Sequence, residues 1–262
     1  MARSSALNES PESVLAELPD WAGATVQELQ GGQTNRTWLV KTDGRKAVLK
    51  IDEVPRQAPY NSRRDEQQIQ DRAAETGLAT PTIRCTETTC MTEFMEGTVW
   101  SAQDLQSEEN LELLGQALRR LHSLPLTGRT FDACSAARMY AGRITDADPE
   151  LLRSSLRVVD RMPAPHNLCF CHNDLVAGNI IATPDIRFLD WEYACDNDPF
   201  FDLATIVAHH DLSPERRNIL LDAYFDGDGV RWRERLGMYE RFYTAILWLW
   251  TMARSQAGGQ GD

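Results

Sequence analysis

The hydrophobic pattern of this 262-residue chain changes character near residue 97. Before that point, short runs of residues alternate apolar with polar side chains, as strands with one buried face do. Three such runs, at 24–29, 36–41 and 45–51, lie close together in the chain, and Asp43-Gly44 between the last two favours a tight hairpin. The first part of the chain therefore predicts an antiparallel sheet.

Helical patterns flank this sheet and dominate the rest of the chain. Residues 61–75 contain no Gly or Pro and predict a helix, and Gly77, just beyond them, is a typical helix stop. Two further short strands are expected at 80–83 and 90–94. Ser107 begins another helix, whose buried face is marked by leucines at spacings of three and four residues: Leu111, Leu114, Leu118 and Leu121. We predict an α+β fold with two lobes, a small antiparallel β N-lobe at 19–97 and a larger, mainly helical C-lobe at 98–254. A cleft between two lobes is a usual place for a ligand.

Composition narrows the possible functions. The formal net charge of −12 argues against a nucleic-acid or anionic-membrane binder, because tracking phosphates needs clustered Lys and Arg. The longest apolar runs, such as 245–250, are too short to span a membrane, and Met1 to Ser10 lack the features of a secretory signal. We expect a cytoplasmic protein with reduced thiols. Cys169, Cys171 and His172 do not predict zinc, because no second pair of ligands occurs at zinc-site spacing.

One segment carries the chemistry, His172-Asn173-Asp174-Leu175-Val176-Ala177-Gly178-Asn179, with Asp190-Trp191-Glu192 further along. Between them, two apolar runs around a turn at 182–185 predict a β-hairpin, which brings Asn179 and Asp190 side by side. An amide oxygen and a carboxylate at one point suit Mg²⁺, which takes few protein ligands and completes its shell with phosphates and water. Asp174, just upstream, is placed to accept a proton from a nucleophile at that centre. Each of the three alone would be an ordinary turn or cap residue, but the order and spacing favour a site.

The pattern His-x-Asp-x-x-x-x-Asn, then a strand and Asp, resembles the catalytic and metal loops of protein-kinase-like phosphotransferases. The fuller form, with Leu-Asp-Trp-Glu-Tyr-Ala and Asp-Pro-Phe-Phe-Asp-Leu-Ala, is similar to the choline/ethanolamine kinase branch of the aminoglycoside-phosphotransferase-like families. The resemblance covers about residues 28–252 and is strongest over 172–204. It implies a protein-kinase-like two-lobed fold, with ATP and Mg²⁺ as cofactors.

The resemblance also implies roles for individual residues. Asp174 would deprotonate the acceptor hydroxyl, and Asn179 and Asp190 would hold Mg²⁺. His172 would organise the catalytic loop, and Asp202 would bind the loop backbone. The nucleotide-binding residues would be Gly31, Gly32, Thr34 and Asn35 of a glycine-rich loop, Lys50 on the third strand, and Glu66, with Asp65 as the alternative, as the partner of Lys50.

The acceptor must be inferred from aromatic and acidic residues, since phosphoryl transfer itself does not identify it. An aromatic box with a carboxylate is how proteins bind a quaternary ammonium, and the candidates are Trp191, Glu192, Tyr193, Trp248 and Trp250. A stripe on the C-terminal helix, Tyr239, Phe242, Tyr243, Ile246, Trp250 and Ala253, predicts its buried face. Because residues 248 and 250 point about 200° apart, one of the two tryptophans should be core and the other can reach the pocket.

The leading hypothesis is an ATP-dependent kinase of a small cationic alcohol, choline first and ethanolamine second. A thiamine kinase or an aminoglycoside phosphotransferase remains open, because the same loops serve all of them. The two tryptophans lie two residues apart here, whereas the choline-kinase pattern has a spacing of three, so a complete two-tryptophan cage is not expected. A non-catalytic pseudokinase is disfavoured, since Lys50, Asp174, Asn179 and Asp190 are all present. The sequence does not indicate the oligomeric state.

Overall fold

The structure is a computed structural model that describes residues 9–29, 35–53, 56, 61–165 and 167–257. The chain divides into two compact units, unit 1 (Met1–Gly97) and unit 2 (Thr98–Asp262). Within the described ranges, no helix has both the length and the apolar character that crossing a membrane requires.

Unit 1 is built on an antiparallel sheet of five strands in the order β1-β2-β3-β5-β4. The strands are β1 (Thr25–Leu29), β2 (Asn35–Lys41), β3 (Lys46–Asp52), β4 (Thr82–Cys85) and β5 (Thr89–Glu93). Along β3 every second residue is buried, so Ala47, Leu49 and Ile51 face the core while Lys50 lies on the other face, as the alternation predicts. The core on that face also contains two tryptophans, Trp21 and Trp38, and residues of a short first helix, α1 (Pro11–Ala16).

One long helix, α2 (Arg63–Glu75), connects β3 to β4. Its first turn is capped by Ser62, whose hydroxyl accepts the backbone N–H of Asp65. It ends before Gly77, which has a φ of 75°, a left-handed conformation that glycine adopts without a steric penalty. The predicted helix and its stop are therefore confirmed.

The expectation that all thiols are reduced is wrong for one pair, because Cys85 and Cys90 form a disulfide. The register of β4 against β5 places these two residues directly opposite each other. Cross-strand neighbours have closely spaced Cβ atoms, which makes the link possible. The other described cysteines, Cys134, Cys169, Cys171 and Cys195, are free.

Unit 2 is mainly helical. Its helices are α3 (Glu108–His122), α4 (Ala133–Ala141), α5 (Pro149–Asp160), α6 (Pro199–His209), α7 (Pro214–Tyr224) and α8 (Arg233–Ala257). The four leucines of the predicted α3 stripe are fully buried, and Ser107 caps the helix through the N–H of Asn110. α3 packs closely on α7, since a Cβ added at Gly115 would lie 2.6 Å from the Cβ of Ala223.

Short strands in unit 2 support the loops between these helices. They are β6 (Thr98–Val99), β7 (Cys169–Cys171), β8 (Ile180–Ala182), β9 (Ile186–Phe188) and β10 (Cys195–Asn197). The predicted hairpin is present as β8 and β9, and β6 pairs antiparallel with the open side of β8, while β7 pairs with β10.

The buried face of α8 differs from the predicted stripe at one position. Leu249 is fully buried, whereas Trp248 and Trp250 are both partly exposed. The prediction that one of the two tryptophans is core is therefore wrong. α8 packs against α4, α5 and α6, so its buried arc is wider than a single stripe.

Candidate active site

Lys50 is the candidate nucleotide-contacting cation in unit 1. Its Nζ lies 3.9 Å from Oε1 of Glu66, and its side chain is 20% exposed against 2% for that of Glu66. The alternative partner, Asp65, is instead engaged at the start of α2, where its carboxylate accepts the Ser62 hydroxyl at 2.6 Å. Because α2 presents Glu66 to the polar face of β3, the Glu66 carboxylate can orient the side chain of Lys50.

Two arginines hold Glu66 in place. Its Oε2 accepts from Nη1 of Arg56 and from Nη1 of Arg63, both at 2.9 Å. Asp52, at the end of β3, accepts from Nε of Arg56 at 3.0 Å and from Nη2 of Arg63 at 2.7 Å. Such paired, hydrogen-bonded charges are the form in which buried ions are stable. The network fixes the lysine partner.

The predicted glycine-rich loop is outside the described residues at Gly31, Gly32 and Thr34. Asn35, the first residue of β2, is described and buried. Its Oδ1 accepts from Nη2 of Arg56 at 3.1 Å, so it belongs to the same network as Glu66.

In unit 2, the catalytic loop begins where β7 ends and is held by Asp202 from α6. The two carboxylate oxygens of Asp202 accept the backbone N–H groups of His172 at 2.8 Å and Asn173 at 2.7 Å. His172 itself is fully buried, with Nε2 2.8 Å from the carbonyl oxygen of Leu189, the residue before Asp190. These bonds tie the loop to the end of the β8–β9 hairpin.

Asn173 turns the chain toward the base. It has a φ of 63°, a conformation that Asn tolerates better than most residues. Its amide donates to the carbonyl of Tyr193 at 3.2 Å, and its Oδ1 accepts from the Asn197 side chain at 2.8 Å. The side chain therefore offsets the cost of the backbone conformation.

Asp174 is a carboxylate in a site crowded with negative charge. Burial, first, and the charges of Asp190 and Glu192 raise its pKa to about 7, while a hydrogen bond from Asn179 acts in the opposite direction. A carboxylate whose pKa lies close to neutrality is suited to accept a proton from a hydroxyl. A carboxylate cluster of this kind also favours a positively charged ligand.

Asn179 and Asp190 both lie at the open end of the hairpin, one before β8 and the other after β9. The N–H of Leu189 donates to the carbonyl oxygen of Asn179 at 2.9 Å, which places Asp190 beside it. The amide nitrogen of Asn179 donates to the carbonyl and to Oδ2 of Asp174, at 2.8 and 2.9 Å. The remaining amide oxygen and the Asp190 carboxylate are hard oxygen donors, so the pair fits Mg²⁺.

The acceptor candidates after Asp190 separate into two groups. Trp191 is 1% exposed and packs against Phe170, His172 and Phe188. The expectation that Trp191 contacts a substrate is corrected here, because its ring forms part of the core behind the catalytic loop. Glu192 is 4% exposed and acts on Asp174 through its charge, and Tyr193 is partly exposed.

The two tryptophans of α8 point about 200° apart around the helix, so they do not form a cage with each other. Both are partly exposed, and the Arg254 guanidinium lies 4.9 Å from the ring centre of Trp250. A protein cation already over that ring disfavours a ligand cation there.

One further residue, His210, contacts the catalytic loop, and the motif did not identify it in this role. Nε2 of His210 accepts the N–H of Ala177 at 3.1 Å. Burial, and to a lesser extent the neighbouring His209, lowers the pKa of His210 to about 4.

Tyr243 of α8 is a second residue of interest, since its hydroxyl lies 2.9 Å from Nδ1 of His209. Burial, and to a lesser extent the charge of Asp174, raises the pKa of Tyr243. The charge of the candidate base therefore acts on Tyr243. Helix periodicity identified it as a buried residue but could not indicate what it faces.

Comparison with solved structures places this fold among the kinase-like folds. The structure of choline kinase LicA from Streptococcus pneumoniae superposes with a TM-score of 0.79 at 20% identity, over 96% of this chain and 92% of that one. A choline/ethanolamine kinase family protein from Mesorhizobium loti gives a TM-score of 0.74 at 22% identity, over 95% and 86% of the two chains. The predicted α+β kinase-like fold class is confirmed.

Sequence comparison then gives the family. Residues 25–237 match the model of the phosphotransferase enzyme family, and this chain belongs to that family. Protein LicA of Haemophilus influenzae is 27% identical over 245 residues, which cover 86% of this chain and 91% of the relative. The resemblance drawn from the catalytic motif is confirmed, and the chain is a phosphotransferase.

Proposed function

We propose that this protein transfers the terminal phosphoryl group of ATP to the hydroxyl of a small cationic alcohol, choline first and ethanolamine second. The observation that carries the proposal is the gathering of carboxylates around the candidate base, where Asp190 and Glu192 raise the pKa of Asp174. Such a site favours an acceptor that brings positive charge with it. The names of the Streptococcus pneumoniae and Mesorhizobium loti proteins support the same acceptor class.

In this proposal the residues of unit 2 act on the acceptor. Asp174 orients the acceptor hydroxyl and takes its proton as the oxygen attacks the phosphorus. Asp202 and His172 hold the loop so that the carboxylate does not move when it ionises, since both bind backbone atoms at the loop ends. Glu192 and Tyr243 are proposed to adjoin the cationic group of the acceptor.

Residues 19–97 are proposed as the nucleotide-binding lobe and residues 98–254 as the catalytic and acceptor-binding lobe. Lys50 is proposed to contact the ATP phosphates, held in direction by Glu66. Asn179 and Asp190 would hold Mg²⁺, which when bound neutralises charge on the phosphates of ATP.

An acceptor panel tests the proposal. ADP formation is measured with Mg-ATP and either choline, ethanolamine, thiamine, an aminoglycoside or no acceptor. A further sample contains 3,3-dimethylbutan-1-ol, an uncharged alcohol with the shape of choline. We expect the highest kcat/KM with choline, and a value at least about tenfold lower for the uncharged alcohol, which corresponds to about 1.4 kcal/mol of charge recognition.

Glu192→Gln separates charge from shape. It should reduce the preference for choline over the uncharged alcohol, whereas Asp185→Asn, in the exposed turn of the same hairpin, should leave it unchanged. A far higher kcat/KM with thiamine or the aminoglycoside would contradict the choline assignment. Acceptor-independent ATP binding with no turnover on any alcohol would contradict the kinase proposal as a whole.

A further inference from the structure

Two thiols and an imidazole meet beside the start of the catalytic loop. Cys169 and Cys171 lie at the two ends of β7 on one face, with their sulfurs 3.5 Å apart. A nitrogen of His122, the last residue of α3, completes a group whose three candidate ligand atoms lie within 4.8 Å of one another. The sequence did not reveal this group, because the third member comes from a distant helix rather than from adjacent His172.

The imidazole is oriented as in many metal sites. Nε2 of His122 lies 3.1 Å from Oδ2 of Asp202, and Nδ1 lies 2.7 Å from the hydroxyl of Tyr224. A histidine that binds a metal usually donates its other ring N–H to a carboxylate, which fixes the tautomer and makes the free nitrogen more basic. Asp202 supplies that carboxylate at Nε2, so Nδ1 is the nitrogen left to bind a metal, and it would exchange its hydrogen bond with the Tyr224 hydroxyl for the metal.

We propose that His122, Cys169 and Cys171 form a binding site for Zn²⁺, with the Tyr224 hydroxyl or a water as the fourth ligand. Two thiolates and an imidazole are a ligand set that suits zinc, in contrast to the hard oxygens of Asn179 and Asp190. With Zn–S bonds of about 2.3 Å, tetrahedral geometry places two sulfurs about 3.8 Å apart, close to the spacing in this structure. Binding exchanges the two thiol protons, released to solvent, for two Zn–S bonds.

The site has an entrance and a structural consequence. Cys169 is partly exposed, whereas Cys171 is fully buried, so a cation can enter from the side of Cys169. Both thiols at present donate weakly to the carbonyl of Asn197, at 3.6 Å, and zinc would replace these contacts. Because Asp202 binds both His122 and the N–H of His172, zinc at this site should stabilise the beginning of the catalytic loop.

Metal titration of the full chain tests the site independently of phosphotransfer. The protein, with its Cys85–Cys90 disulfide intact, is freed of metal with a chelator and equilibrated with Zn²⁺ or with Co²⁺ as a spectroscopic probe. We expect one metal per chain, sulfur-to-cobalt charge-transfer absorption, and a higher melting temperature with zinc. Cys169→Ser should weaken binding by at least about tenfold, whereas Cys134→Ser, at a free thiol on α4, should leave it unchanged.

Alkylation of the wild-type protein keeps the test decisive if Cys169→Ser does not fold. With zinc present, Cys169 should be protected from iodoacetamide while Cys134 reacts at its zinc-free rate, as read by peptide mass spectrometry. Equal labelling of Cys169 with and without zinc would overturn the proposal. So would equal zinc affinity of a folded Cys169→Ser variant and the wild type.

Discussion

Replacing Asp174 with Asn should remove a pH-dependent loss of stability from the protein free of nucleotide and metal. The pKa of Asp174 is raised from 3.8 to about 7, chiefly by burial and then by Asp190 and Glu192. An acid whose pKa is higher in the folded state favours folding while it is protonated. The contribution of Asp174 to stability is therefore complete below the pKa of the unfolded chain, 3.8. It is lost as pH rises through the pKa of the folded state, about 7.

The magnitude depends on the part of this window that an experiment can reach. Between pH 5 and the folded pKa lie about two pH units at about 1.4 kcal/mol each, so the upper limit is about 3 kcal/mol. Although Asp174 is largely buried, part of the residue remains accessible to water, which screens its charge. We therefore expect a stability change of about 1–2 kcal/mol. Asn is nearly isosteric, stays neutral, and can still accept the hydrogen bond from Asn179.

Urea denaturation at pH 5 and pH 8 in metal-free buffer measures the effect. The stability of Asp174→Asn relative to the wild type should rise by that amount between the two pH values, with unchanged m-values. Asp185→Asn is the matched control and should behave as the wild type does. If Asp174→Asn and the wild type lose stability in parallel, the electrostatic account of the site is wrong.

Three other substitutions test contacts that position the site or build the fold. Glu66→Gln removes a buried charge that two arginines share, and should lower the free energy of unfolding by about 3 kcal/mol in urea titrations. No loss of stability would show that the ion pairs of Glu66 do not stabilise the fold. Asp202→Asn turns an N–H toward the backbone N–H groups of His172 and Asn173. The amide hydrogens of these two residues should therefore exchange faster, and the free energy of unfolding should fall by about 1–3 kcal/mol. Unchanged exchange would contradict the anchoring role of Asp202. Gly115→Ala places a methyl group 2.6 Å from the Cβ of Ala223 and should cost about 1–3 kcal/mol, read as a lower melting temperature; an unchanged value would mean that the helices separate freely.

Much of the fold was predictable because one-sided burial leaves a periodic pattern in sequence. The alternation around β3 identified which face Lys50 occupies, and the leucines of α3 identified its buried stripe. The β8–β9 hairpin was predictable from two apolar runs around a turn, and it brings Asn179 next to Asp190. These are local features, in which the residues that determine the structure are close in sequence.

Features that depend on distant partners were not predictable. The irregular register of β4 sets which residue faces Cys90, so the disulfide with Cys85 could not be inferred from strand patterns. His210, the residue that follows α6, supports the loop at Ala177 through a contact that only the folded chain creates. Periodicity likewise gave the direction of the α8 side chains but not the three helices around them, and the position of Trp250 was therefore misjudged.

The central claim is that Asp174 takes the proton of the acceptor alcohol during phosphoryl transfer. The most direct measurement is the turnover of Asp174→Asn with Mg-ATP and choline, together with ATP affinity measured by calorimetry on the same samples. We predict that kcat falls by about 10²–10⁴-fold while the affinity for ATP stays within a factor of about three. A folded Asp174→Asn protein that phosphorylates choline at a near-wild-type rate would contradict the claim.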